Sequence, residues 1–493
     1  MVGDHVLIVG GGLAGLAAGC HALSNGFRTT IVEHHRALGG VCTAWPRGPY
    51  TIDGCIQWLT GGPFDQLYEE LGILPKVAVH VLDTFVSYRD VQYGTRIDVT
   101  SDLEALGRAL LALGPEDAAE VRRLIEGART LARLQPPIER PPELTSLREG
   151  FGALWEMRGE LSTVVHFRKP VQEYVTEHLR SPALRRFFSA LFPPQAPMLF
   201  LLLTLGYLEK GWLSRPDGGT ARFRDALIDR YHALGGATRL HATVDEILVE
   251  GDHARGVVLS DGTQLHADHV ISTSSAPESI LRLLGGRYGA EELRERLTSW
   301  RLFEPIVLAS FGVASDLAGT PSTVLLDGIE PLRVGRRLNT HLLVRTFNDD
   351  PAFAPSGHTV VQTILSTDYE YWATLGSAYE AEKDALADLV QRRLEEQLPE
   401  LRGAVRLVDV ATPLTFWTMA RSWRGAYEGW IPSTSATFSH VRKRLPGLSA
   451  FYLAGQWVEP GGGVPLALMS GRHAVQLLCE DTGRAFTSGV SAA

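Results

Sequence analysis

"HVLIVGGGLAGLAAG", residues 5–19, decides the fold. "VLIV" is a continuous apolar run, as a parallel strand covered on both faces requires. Three glycines follow, and then a small-residue helix runs through Ser24. "TTIVE", residues 29–33, reads as a second strand ending at Glu33. Strand, turn, helix and strand make one βαβ unit. Within it, Gly10, Gly12 and Gly15 have the spacing of a dinucleotide fingerprint, with Leu13 and Ala14 inside it. Gly10 permits the tight turn, Gly12 lets a pyrophosphate reach the backbone, and Gly15 lets helix and strand pack closely. The Glu33 carboxylate can accept both hydroxyls of an unphosphorylated ribose.

"EHHRALGGVCTAW", residues 33–45, separates the dinucleotides. An NAD domain has no need of a second glycine pair so soon after the ribose acid. Gly39 and Gly40 fit FAD, whose pyrophosphate such a pair passes in flavoproteins with two dinucleotide-binding domains. His34 and Arg36, on the connecting loop, are assigned to the cofactor edge. His34 and His35 are adjacent and so point to opposite sides of an extended chain, which argues for exposed loop residues and against a metal site. Cys42 reads as a small buried side chain.

The chain has 493 residues, enough for more than one domain. A net charge of −9 argues against a nucleic-acid partner. Four cysteines without a C-x-x-C pair argue against zinc, and together with the missing secretion signal they predict a cytoplasmic protein. The most apolar stretch, Phe187–Leu208, is broken by prolines 193, 194 and 197. It reads as a buried helix or tunnel wall, with a peripheral membrane contact as the alternative.

The strand–helix units of the nucleotide domain are dispersed along the chain. The expected fold is α/β (α+β overall). A discontinuous Rossmann-type domain is expected from residues 1–75, 218–290 and 446–493. A substrate domain of mixed sheet and helices is expected from 76–217 and 291–445, with a helical subregion near 101–215. "EPGGGVPLALMSGRHA", residues 459–474, runs from a last strand ("AFYLAG") into the closing helix, with Pro465 at the first helical position and Ala467, Gly471 and Ala474 forming a small-residue face.

Five segments now carry a family likeness: "VLIVGGGLAGLAAG"; "GGVCTAW" with "YTIDGCIQWLTG"; "RPDGGTARFRDAL"; "TPLTFWTMARSWRGAYEGW"; and "FYLAGQWVEPGGGVPLALMSGRHA". The chain resembles the phytoene desaturase superfamily of FAD-dependent oxidoreductases, especially its carotenoid isomerase and retinol saturase branch. The resemblance implies bound FAD and transfer of hydride to or from a carbon–carbon bond of a lipophilic polyene, isoprenoid or natural product. It also implies that Val244 lends its backbone to the adenine edge. Gly455, Gln456, Gly462, Gly463 and Val464 would meet the isoalloxazine end, where amides at a helix N-terminus suit the charge of a reduced flavin. Val41 stands where many relatives have a basic residue, and Gln57 where retinol saturase-like members often have His. "GQWVEPGGGVP" lacks the cysteine that bonds FAD in some amine oxidases, so non-covalent FAD is expected.

Gln57, Trp58 and Trp430 are the candidate substrate-pocket residues, and Glu459 and Tyr427 the candidate catalytic acid or base. Only one dinucleotide fingerprint is present, so oxygen, a quinone, a small redox partner or a transiently bound nicotinamide would exchange the electrons. Two other readings stay open. One is an amine or amino-acid oxidase of the same fold. The other is a flavin-free prenyl-binding protein of the GDP-dissociation-inhibitor type, which the retained flavin glycines disfavour.

Overall fold

The computed structural model describes residues 3–433, 436 and 439–489. One parallel sheet is assembled from distant parts of the chain. In order, β1 (His5–Val9), α1 (Leu13–Ser24), β2 (Arg28–Val32), α2 (Gly219–Ala233), β3 (Ala237–Arg239), β4 (His269–Ser272), β5 (Phe451–Leu453) and α3 (Gly463–Asp481) form this layer. The strands lie in the order β3–β2–β1–β4–β5, all parallel. β1 is central because both its faces are apolar. Val6 and Ile8 pack with α1 residues Leu16 and Ala17, whereas Leu7 and Val9 pack with Ile247 and Val257 on the other face. Those two residues belong to an antiparallel meander, Val244–Glu250, His253–Leu259 and Gln264–His266. Its first turn, Gly251–Asp252, has positive φ at both residues, as a two-residue hairpin loop requires.

A second layer is a seven-stranded sheet, mostly antiparallel, built on Ile306–Val313, Thr323–Val334, Arg337–Thr346 and Thr359–Ser366. Its long outer helix, Tyr379–Gln397, buries Leu386, Val390 and Leu394 against it. Helices occupy most of Leu103–Glu209. The prolines at 193, 194 and 197 divide the apolar stretch into two helices, Pro182–Leu191 and Met198–Glu209. The latter is a buried helix, as its all-round apolar sequence predicts. Among the described residues, no helix is long and apolar enough to cross a membrane.

Two boundaries differ from the sequence reading. β2 stops at Val32, one residue before Glu33, whose carboxylate turns back onto the glycine loop. The closing helix begins at Gly463, so Pro465 is its third residue rather than its first.

The small-residue face of α3 meets α1 directly. A Cβ on Gly471 would lie 2.5 Å from Ala14 O and 2.9 Å from Ala18 N. Both are backbone atoms, so no rotamer change relieves the clash. The Arg472 guanidinium, beside this contact, pairs with buried Glu70 at 2.8 Å and donates to the carbonyls of Ile138 and Glu139.

Two outcomes follow from this packing. Gly471→Ala should cost about 1–3 kcal/mol, read as a lower Tm. Gly150→Ala, where an added Cβ meets nothing within 4 Å, should cost nothing measurable. His21 on α1 and His473 on α3 are buried, and burial is the main cause holding both down to about 3. An unfolded histidine titrates near about 6.5, so between these values the unfolded chain binds protons that the native one excludes. Stability should therefore fall as pH drops from about 6.5 to about 3, and His21→Asn should flatten that dependence in calorimetric Tm measurements.

Candidate functional site

Two helix N-termini open onto one cavity of about 1680 Å³. Pockets for drug-sized ligands measure roughly 300–1,000 Å³, so this larger volume has room for a dinucleotide with a second, long ligand. Neither α1, at Gly12, nor α3, at Gly462, carries a side-chain cap. Their first-turn amides are left for a ligand to satisfy.

The α1 end is built from backbone. A Cβ on Gly15 would lie 2.1 Å from Gly10 O, so the helix touches its own turn there. Gly12 stays open, with its nearest neighbour 3.9 Å from an added Cβ. Gly39 N donates to Gly11 O at 2.8 Å, which lays the second glycine pair beside the first. Leu13, Ala14, Gly39 and Gly40 line the cavity with Gly10 and Gly12. This cradle of bare backbone fits a pyrophosphate.

Glu33 is 5% exposed and lines the cavity beyond that cradle. One oxygen accepts from Gly11 N at 2.7 Å, the other from His35 N at 2.8 Å and from His34 Nδ1 at 2.8 Å. Burial raises its carboxyl, but these hydrogen bonds outweigh burial and hold it below the usual carboxylate range. A carboxylate has about four lone-pair sites, so a hydroxyl can still bind. His34 is not the exposed loop residue expected: it lines the cavity, and its Nε2 lies 3.0 Å from Thr418 O. Arg36 is exposed and does not line the cavity. Val244 lines the wall, and its carbonyl already accepts from Arg282 Nη2 at 2.8 Å.

At the α3 end, Gly461, Gly462 and Gly463 all have positive φ (119°, 61° and 82°), a run that only glycine adopts without strain. Gly455 N donates to Ser470 Oγ at 2.7 Å, tying the turn back to its own helix. Gly455, Gln456 and Val464 line the same end of the cavity.

The acid–base candidates fare differently. Glu459 Oε1 sits 2.5 Å from the fully buried Lys443 ammonium and serves as its counter-ion. Tyr427 lines the cavity, but its hydroxyl donates to Cys55 O at 2.6 Å, and burial pushes the phenol well above its usual value. Both are committed to structural partners. Gln57 and Trp58 line the wall, with Trp58 edge-on to Phe85. Trp430 is no pocket residue. It is 0% exposed in a core cluster with Trp300 and Trp457, and its Nε1 donates to Trp457 O at 2.9 Å.

The sequence reading passed over Glu428, a carboxyl on the cavity wall beside Gly462. Its signal was an acid set between an aromatic residue and a glycine in "GAYEGW". Asp53 was also passed over. It is 1% exposed and accepts from Thr220 N at 2.9 Å, docking "YTIDGC" onto the start of α2. Cys42 is buried, as expected, but it has Cys55 beside it, whose hydrogen bond is the main cause raising the Cys42 thiol. Among the described residues, no group of three or more His, Cys, Asp or Glu could hold a metal.

Comparison with known proteins bears on this arrangement. The model of the flavin containing amine oxidoreductase family matches residues 13–479. A phytoene desaturase (lycopene-forming) of Paracoccus sp. is 24% identical over 502 residues, covering 97% of this chain and 98% of the relative. Prolycopene isomerase 1, chloroplastic, of an Oncidium hybrid cultivar is 22% identical over 514 residues, covering 97% and 84%. In fold, the chain is similar to cyclohexylamine oxidase from Brevibacterium oxydans. The TM-score is 0.63 at 15% identity, covering 98% of this chain and all of that one.

Glu33→Ala should remove charge-assisted hydrogen bonds worth about 1.5–3 kcal/mol each. Retention of the expected dinucleotide, followed by equilibrium dialysis against FAD, should weaken at least about tenfold.

Proposed function

The chain belongs to the flavin containing amine oxidoreductase family, and on that premise we propose an FAD-dependent oxidoreductase acting on a carbon–carbon bond of a lipophilic polyene or isoprenoid. The observation that carries this reading is the pair of uncapped helix N-termini opening on one cavity, part of whose remaining wall is a continuous apolar stretch. Leu199, Phe200, Leu203 and Tyr207 of the helix Met198–Glu209 line that wall, with Leu82, Phe85 and Trp58. A polyene chain would be held by these side chains, which also exclude water from its reacting carbons.

In this reading Gly10, Gly12, Leu13, Ala14, Gly39 and Gly40 hold the pyrophosphate, with Gly15 keeping α1 close. Glu33, oriented by His34, takes the ribose, and Val244 takes the adenine edge. Gly455, Gln456, Gly462, Gly463 and Val464 hold the isoalloxazine end through backbone groups and the positive end of α3. Bound there, the flavin supplies two-electron chemistry at carbon. Residues 1–75, 218–290 and 446–493 would form the cofactor domain, and 76–217 with 291–445 the substrate domain. The electron partner would be oxygen, a quinone or a nicotinamide. A substrate of this class partitions into lipid, which favours peripheral contact with a membrane surface.

The family's name favours amine oxidation as a second reading. Against it, Lys443 is buried in an ion pair with Glu459, and no lysine lines the cavity among the described residues.

The purified protein should be yellow and should release FAD into the supernatant on acid precipitation. A colourless protein that cannot be reconstituted with FAD would overturn the reading, and flavin that stays with the pellet would overturn non-covalent binding. Under anaerobic conditions, polyenes should bleach the flavin, or reoxidise it once reduced, and bleaching by amines alone would select the second reading.

A further inference from the structure

The loop carrying Glu428 is clamped to the turn that opens α3. Gln456 Nε2 donates to Tyr427 O at 3.3 Å, Trp430 Nε1 donates to Trp457 O at 2.9 Å, and Gly461 N donates to Trp430 O at 2.9 Å. The loop backbone has no slack there, since a Cβ on Gly429 would lie 2.6 Å from Gln456 O. This clamp sets where the Glu428 side chain goes. It runs along the glycine turn, with Oε2 3.3 Å from the position a Cβ on Gly462 would take, and its residue lines the cavity. Among the described residues, no hydrogen bond or ion pair occupies its carboxyl group. The two neighbouring candidates differ in this respect: Tyr427 is spent on Cys55, and Glu459 on Lys443.

We propose that Glu428 is the acid–base residue for the second hydrogen of the reaction, a role that rests on the flavin reading above. Desaturation breaks two C–H bonds. One hydrogen leaves with both bonding electrons for the flavin, which is reduced by two electrons. The other leaves as a proton for a Glu428 carboxylate oxygen, and its bonding pair becomes the second carbon–carbon bond. Saturation reverses each transfer, with protonated Glu428 as the donor.

The electrostatics agree with this role. Burial raises the Glu428 carboxyl to about 7, so both forms are populated near neutrality. The other titratable groups on this part of the wall do not compete. The Tyr427 phenol is raised by burial, and the Cys42 thiol by its hydrogen bond with Cys55. His440 is lowered by burial and by Lys443. Negative charge added at the glycine turn when the flavin gains electrons would raise Glu428 further, so proton uptake would accompany reduction.

The test is the midpoint potential of the bound FAD against pH, for the wild-type protein, Glu428→Gln and Glu428→Asp. Above about pH 7, the wild-type potential should fall more steeply, by one extra proton per two electrons. Glu428→Gln should hold FAD with unchanged stoichiometry and lack that break, whereas Glu428→Asp should keep a displaced one. With a substrate that bleaches the flavin, the glutamine variant should react about 10²–10⁴ times more slowly. Superimposable potential curves for the wild-type and glutamine proteins would overturn the proposal. So would a wild-type curve without a break, a measurement that needs no variant. A wild-type protein that binds no FAD would instead overturn the flavin reading.

Discussion

The contact between α1 and α3 organises the molecule. Gly471 lets the closing helix press onto the backbone of Ala14 and Ala18, on the helix of the chain's first βαβ unit. Both helices follow strands of the same parallel sheet, so bringing them together brings their N-termini to one cavity. Each N-terminus alone is a common anion site. In the reading proposed above, one would serve the pyrophosphate in the middle of the dinucleotide and the other the redox-active ring at its end.

The second constraint is the apolar wall. Burying a helix as apolar as Met198–Glu209 stabilises the fold, but its face toward the cavity is left without a protein partner. Two buried cations elsewhere in the fold are neutralised by carboxylates. Lys443 lies between Glu459 and Glu143, and Arg472 lies against Glu70. Buried pairs of this kind contribute little net stability. Glu428 differs in having no such partner among the described residues.

Much of the glycine-lined end of the cavity was legible because its signals are local. The Gly10–Gly15 fingerprint, Glu33 and the Gly39–Gly40 pair lie within about one βαβ unit, and short-range backbone geometry ties residue type to conformation there. The same holds at Gly461–Gly463, where three positive φ values admit only glycine. Arg36 and His34 show the limit of such reasoning. They are two residues apart in the same loop, yet one faces solvent and the other is drawn inward by Glu33 and Thr418. Thr418 is 384 residues away in sequence, so no local pattern could report it.

The sequence by itself determined the βαβ opening, the glycine turns and the apolar helices, because each is specified by neighbours within a few residues. Tertiary structure alone decided which of the acidic groups on the cavity wall keeps its polar atoms without a protein partner among the described residues. Tyr427, Glu428 and Glu459 are equivalent candidates as letters. They part company because Tyr427 meets the carbonyl of Cys55, Glu459 meets the ammonium of Lys443, and Glu428 is held along an open glycine turn. Whether a polar side chain is free to exchange a proton depends on who occupies its hydrogen bonds, and those partners are supplied by the fold.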